Sequence, residues 1–148
     1  MSRAFVNEDH AQVSQAAERR VSDQPNHVTP RGLELLQTRL RALQGSDTDP
    51  QRLADLHYFT QRVQSAQVVN AADNGKVQIG CWVTFSDPEG NEQRVCLVGE
   101  DEADAAQGLI NWGSPLGRAL IGAQVGDEVV WKRPVGDLPI EIIDIATA

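Results

Sequence analysis

Aromatic side chains are scarce in this chain: three Phe, three Trp and one Tyr among 148 residues. Any core is therefore mainly aliphatic, and an aromatic-lined chamber of the kind a prolyl isomerase needs could draw only on Trp82, Phe85, Trp112 and Trp131. Cysteine is rarer still. Cys81 and Cys96 form neither a CxxC pair nor any zinc spacing, so they read as two small buried thiols on neighbouring strands. The three histidines, His10, His27 and His57, all precede residue 70, which leaves the C-terminal half without an imidazole for triad chemistry. No apolar run approaches the ~18 residues of a membrane span. The first twenty residues carry Glu8, Asp9 and His10 where an export signal needs an apolar stretch, so a cytoplasmic, non-membrane protein is expected.

Basic residues are also missing where acidic ones are dense. Residues 1–70 hold eight Arg against eight Asp and Glu, whereas residues 71–148 hold five basic against thirteen acidic groups, which is the whole net charge of −8. Such a half cannot neutralise a phosphate backbone, so a protein partner with a basic surface fits it better than nucleic acid. The glycines of Gly113-Ser114-Pro115-Leu116-Gly117 and Gly122-Ala123-Gln124-Val125-Gly126 are followed by no Lys-Ser/Thr pair and follow no βαβ pattern. They read as turn and cap residues rather than a nucleotide loop.

What is present divides the chain in three. Residues 1–28 are a polar extension, with Arg3, Arg19 and Arg20 as its cations. Thr29-Pro30 and Asp49-Pro50 each pair an N-cap residue with proline at the first helical position. Leu33, Leu36, Leu40 and Leu43 follow the first signal, and Leu53, Leu56, Phe59 or Thr60, and Val63 follow the second. Both spacings form heptad-like seams, so residues 29–69 predict a short antiparallel coiled-coil hairpin. At 1.5 Å per residue it projects roughly 20 to 25 Å.

From Lys76 the period changes to two, with Val77, Ile79, Cys81, Val83 and Phe85 on one face and a return strand over residues 94–98. Ser114 and Pro115 open a short helix presenting Leu116, Ala119 and Leu120, and Gly126-Asp127 turns the chain into further strands. Residues 70–148 thus predict an α+β unit, a small antiparallel sheet crossed by one helix. Candidate functional residues are few. Glu100, Asp101, Glu102 and Asp104 form an acidic bend without calcium-loop spacing. Asp47 and Asp49 lie at the hairpin tip, and Arg31, Arg39 and Arg41 make a cationic strip on the first helix.

Several of these stretches, in order, resemble the bacterial Gre family of transcription elongation factors. They are Val98-Gly99-Glu100-Asp101-Glu102-Ala103-Asp104, Ser114-Pro115-Leu116-Gly117-Arg118-Ala119-Leu120-Ile121-Gly122, Val125-Gly126-Asp127-Glu128-Val129 and Pro134-Val135-Gly136-Asp137. The resemblance implies an immunophilin-like (FKBP-like) C-terminal domain that docks at the rim of the RNA polymerase secondary channel. It also implies a coiled coil that enters the channel and, by its acidic tip, helps hold a polymerase magnesium ion during transcript cleavage. Nucleic acid would be met only within that complex, and the chain needs no cofactor of its own. Polymerase docking then falls to the acidic bend and to Ser114, Pro115 and Leu116. The family tip has the form Gly-Asp-x-x-Glu-Asn-x-Glu, whereas residues 45–50 here are Gly-Ser-Asp-Thr-Asp-Pro. The short hairpin resembles the branch known as the regulator of nucleoside diphosphate kinase. That branch binds polymerase without clear stimulation of cleavage, so the expectation is a regulator that is not itself an enzyme. True cleavage stimulation through Asp47 and Asp49, and a non-transcriptional protein-interaction or prolyl-isomerase-like domain, are the alternatives.

Overall fold

A computed structural model describes residues 19–45 and 49–147. They divide into two compact units, one of residues 19–25 and 34–65, the other of residues 26–33 and 66–147. Among the described residues no helix is long and apolar enough to cross a membrane.

The smaller unit is built on two helices. Helix α1 (Pro30–Leu43) begins in the larger unit and runs on into the smaller, and α2 (Pro50–Ser65) lies wholly in the smaller. Both start as their cap residues dictate. The Thr29 hydroxyl accepts the Gly32 N–H at 2.9 Å, and an Asp49 carboxylate oxygen accepts the Arg52 N–H at 3.1 Å. Leu36, Tyr58, Phe59 and Arg62 are buried. Arg19 closes over them, its guanidinium 4.0 Å from the Tyr58 ring centre and 3.4 Å from the Asp55 carboxylate.

The larger unit carries a five-stranded sheet in the order β5-β4-β3-β7-β6. Its strands are β3 (Cys81–Ser86), β4 (Glu92–Val98), β5 (Leu109–Asn111), β6 (Glu128–Trp131) and β7 (Leu138–Thr147). A separate two-stranded parallel ladder joins β1 (His27–Val28) to β2 (Gln67–Val68). Alternation along β3 sends Cys81, Val83 and Phe85 into the main core, with Val95 and Leu97 from β4 and Ile140 and Ile142 from β7. Helix α3 (Pro115–Leu120) seals that face with Leu116 and Leu120. On the opposite face Trp82 packs with Cys96, Val98 and Leu109. Residues 95–98 are therefore buried on both sides.

The β3–β4 hairpin turns on Asp87. Its carboxylate accepts the backbone N–H groups of Glu89 and Asn91, both at 2.9 Å, and the Asn91 side-chain amide at 3.1 Å. The Asn91 side chain, then its backbone, hold the Asp87 carboxyl below its ordinary range.

Two expectations change. The strand expected to run from Lys76 begins only at Cys81, because Gly80 adopts φ +97° in a turn closed by Cys81 N–H to the Gln78 carbonyl. The immunophilin-like, all-antiparallel sheet is corrected as well. β5 runs parallel to β4, pairing Cys96 with Leu109, Leu97 with Ile110 and Val98 with Asn111. The sheet is thus mixed and curled. A hairpin after β4 is precluded because residues 99–108 cross over through the acidic bend and a 3-10 turn (Ala105–Gln107), which delivers the chain in the same direction.

Candidate docking surface

The corner Ser114-Pro115-Leu116 is made by the entry into α3. Ser114 Oγ accepts the Gly117 N–H at 3.1 Å, Pro115 fills the first helical position, and Leu116 points inward. Gly117 sits where no other residue fits: a Cβ there would lie 2.5 Å from the Trp112 carbonyl oxygen and 2.7 Å from that of Asn111. The corner is therefore pressed against the end of β5. Facing it is the segment that leaves β6, in which Arg133 Nε donates to the Gly136 carbonyl at 3.2 Å and the guanidinium lies 5.6 Å from the Trp131 ring centre. Trp131 in turn meets Phe85 edge-on at 6.2 Å. Between these walls runs an open groove of about 620 Å³, lined by Ala103, Ala105, Leu109, Ile110, Pro115 and Leu116 on one side and residues 131–135 on the other. Val135, at 84% exposure, stands at its rim with its side chain in solvent. An apolar side chain this exposed, beside an apolar groove, marks a surface suited to a protein partner.

The acidic bend does not act as one cluster. Glu100 and Asp101 are half-buried, each with a partner of its own. Asp104 caps the 3-10 turn by accepting the Ala106 N–H at 3.2 Å. Glu102 is buried, its carboxylate accepting the Thr29 hydroxyl at 2.5 Å and an Arg31 N–H at 3.3 Å. No group of three or more His, Cys, Asp or Glu among the described residues could hold a metal ion. The cations separate in the same way. Arg31 pairs with Glu102, Arg39 lies 5.6 Å from the Phe59 ring centre, and Arg41 donates to Thr38 Oγ1 at 3.2 Å. Asp49 is engaged as a helix cap, and Asp47 lies outside the described residues. The four aromatics available to a chamber do not share one face. Trp82 is on one sheet face, whereas Phe85, Trp112 and Trp131 belong to the main core on the other, Trp112 also meeting His27 edge-on at 5.2 Å.

Both cysteines are free and buried. Burial, and then the Glu102 charge, push the Cys96 thiol up to about 11 from an ordinary value of 9.0. Its thiolate fraction near neutral pH should be about 100-fold below that of an unperturbed thiol. Alkylation of the native protein is therefore expected to spare Cys96 and to proceed at the free-thiol rate after denaturation. Equal rates in the two states, read by mass spectrometry, would contradict the burial.

A mixed sheet sealed by one helix, with an apolar groove beside the helix entry, gives the larger unit a surface suited to a partner. The family model "Transcription elongation factor, GreA/GreB, C-term" matches residues 72–147, and the chain belongs to the GreA/GreB family. It is 37% identical over 89 residues to transcription elongation factor GreA of Listeria monocytogenes, covering 58% of this chain and 56% of that one. Against GreB of Neisseria meningitidis it is 42% identical over 95 residues, covering 61% and 57%. The chain thus spans little more than half the length of the curated relatives it matches. Among solved structures it is similar to Gfh1 of Thermus thermophilus (20% identity, 83% of this chain, 99% of that one, TM-score 0.45). It is likewise similar to a GreA/GreB factor of Nitrosomonas europaea (24% identity, 84% and 99%, TM-score 0.45).

Proposed function

We propose that this protein binds bacterial RNA polymerase at the rim of the secondary channel and modulates elongation, with the groove beside Ser114-Pro115-Leu116 as its docking face. The family match over the sheet domain carries this reading, because the matched residues include both walls of the groove. In this reading the chain acts as a bound factor, and chemistry on the transcript belongs to the polymerase.

The hairpin argues for regulation rather than stimulated cleavage. Its helices have 14 and 16 residues, so neither extends beyond roughly 24 Å. Of the two tip aspartates, Asp49 already commits a carboxylate oxygen to the Arg52 N–H. Inner-sphere magnesium coordination, near 2.1 Å, tolerates no shortfall in reach. A stalled, backtracked elongation complex with magnesium tests this by reading binding and RNA cleavage together. Wild type and an Asp47→Ala/Asp49→Ala variant are both expected to bind, and neither to accelerate cleavage. Acceleration by the wild type that the variant loses would overturn the regulatory reading in favour of cleavage stimulation. Failure of both proteins to bind would overturn the polymerase assignment.

A further inference from the structure

A second cavity, of about 490 Å³, is built on the sheet face that carries Trp82 and shares Leu109 with the groove described above. Its volume is that of a small-molecule site. The floor is Trp82, Cys96, Val98 and Leu109, and Pro30, Val69 and Ala71 supply further apolar wall. Two charged groups enter the same lining: the Glu102 carboxylate and the Arg31 guanidinium, 3.3 Å apart. Their environments differ sharply. The Glu102 side chain is 5% exposed and that of Arg31 is 62% exposed.

Neither group is saturated. A carboxylate offers about four acceptor positions and an arginine five donors. Among the described residues, Glu102 accepts one bond from Thr29 and one from Arg31, and Arg31 donates only that one. At 3.3 Å the Arg31 bond is also longer than the roughly 2.7–2.9 Å of a strong charge-assisted contact. The cavity therefore presents a buried carboxylate and an exposed guanidinium side by side, next to an apolar floor. A lone cation or a lone anion would satisfy one of these groups and repel the other. A molecule carrying an ammonium and a carboxylate on one carbon, with an apolar side chain, satisfies all three features.

We infer that this cavity is a binding site for a free apolar α-amino acid. The ammonium donates to Glu102, the carboxylate accepts from Arg31, and the side chain packs on Trp82, Val98 and Leu109. One face of the Trp82 ring already carries the Arg94 guanidinium, 4.5 Å from its centre, which holds the indole in place for that contact. The site is independent of polymerase docking, so its test stands or falls separately from the function proposed above.

The experiment is calorimetric titration of the full chain with L-phenylalanine, phenethylamine and hydrocinnamate. The three share a phenyl side chain and differ in carrying both charges, the ammonium alone or the carboxylate alone. L-Phenylalanine is expected to bind with a Kd of about 1 mM, and each singly charged analogue at least about tenfold more weakly. Ala71→Leu, which adds bulk to a residue lining the cavity, should abolish binding. Arg31→Gln should weaken phenylalanine about tenfold, while phenethylamine, relieved of the Arg31 charge, should bind no more weakly than before. Arg31 is exposed, and thermal melts of both variants check that each is folded. Three outcomes overturn the inference: no saturable binding of phenylalanine, equal binding of all three compounds, or phenylalanine binding that Arg31→Gln leaves intact.

Discussion

Gly117→Ala is expected to lower the stability of the sheet domain by about 3 kcal/mol or more, the upper range for overpacking a rigid site. The added Cβ would meet backbone on every near side, at 2.5 Å from the Trp112 carbonyl oxygen and 2.7 Å from the Trp112 carbonyl carbon and the Asn111 carbonyl oxygen. Flexible side chains yield to such a clash, but these atoms close β5 and the turn into α3. The Trp112 N–H is bonded to the Val98 carbonyl at 2.9 Å, and the Asn111 carbonyl accepts the Ser114 N–H at 2.9 Å. Relief therefore means moving either the edge of the sheet or the first turn of α3, which would draw Leu116 and Leu120 from the core. The thermal midpoint should fall by roughly 10 °C. Gly113→Ala is the control. It lies in the same loop, a Cβ there would be no closer than 3.5 Å to the Asn111 side-chain oxygen, and its midpoint should move little. A Gly117→Ala protein that melts with the wild type would mean that the helix entry adjusts freely, and the corner would then be no rigid docking element.

That constraint was only partly legible in the sequence. Ser114, Pro115 and the apolar spacing of Leu116 and Leu120 announce the helix, because capping, proline placement and periodicity are local effects. Asp49 at its cap is legible for the same reason. What was not legible depends on pairings across long separations. The parallel run of β5 beside β4 turns on how residues 99–108 fold, and an acidic, turn-rich segment leaves the strand direction open. The β1–β2 ladder consists of two residues on each side, too short for any period to register. Glu102 shows the same limit. Among Glu100, Asp101 and Asp104 it looks like one more solvated charge. Only the fold brings Thr29 and Arg31, more than seventy positions away, onto its carboxylate. The far wall of the groove includes Pro134 and Val135 of the stretch Pro134-Val135-Gly136-Asp137, and nothing local in that stretch says that it faces a helix corner.

Val135→Asp separates binding from folding at that wall. Val135 is 84% exposed and has no place in the core, so the substitution should change stability by no more than about 0.5 kcal/mol. In a docked complex the same side chain would be covered, and the new carboxylate would lose its water inside an apolar groove without a matched partner. An interface position of this kind costs about 2 kcal/mol, or roughly 30-fold in Kd for polymerase. Val125→Asp supplies the comparison, because Val125 is also exposed, at 58%, but does not line the groove, so its affinity should stay at the wild-type level. Pairing the two variants removes the effect of adding one negative charge to a chain already at −8. Equal weakening by both would mean that general charge repulsion governs association. Unchanged affinity in Val135→Asp would place docking on another face of the domain. Selective loss at Val135 would identify the groove as the contact, because the variants then differ only in which surface carries the charge.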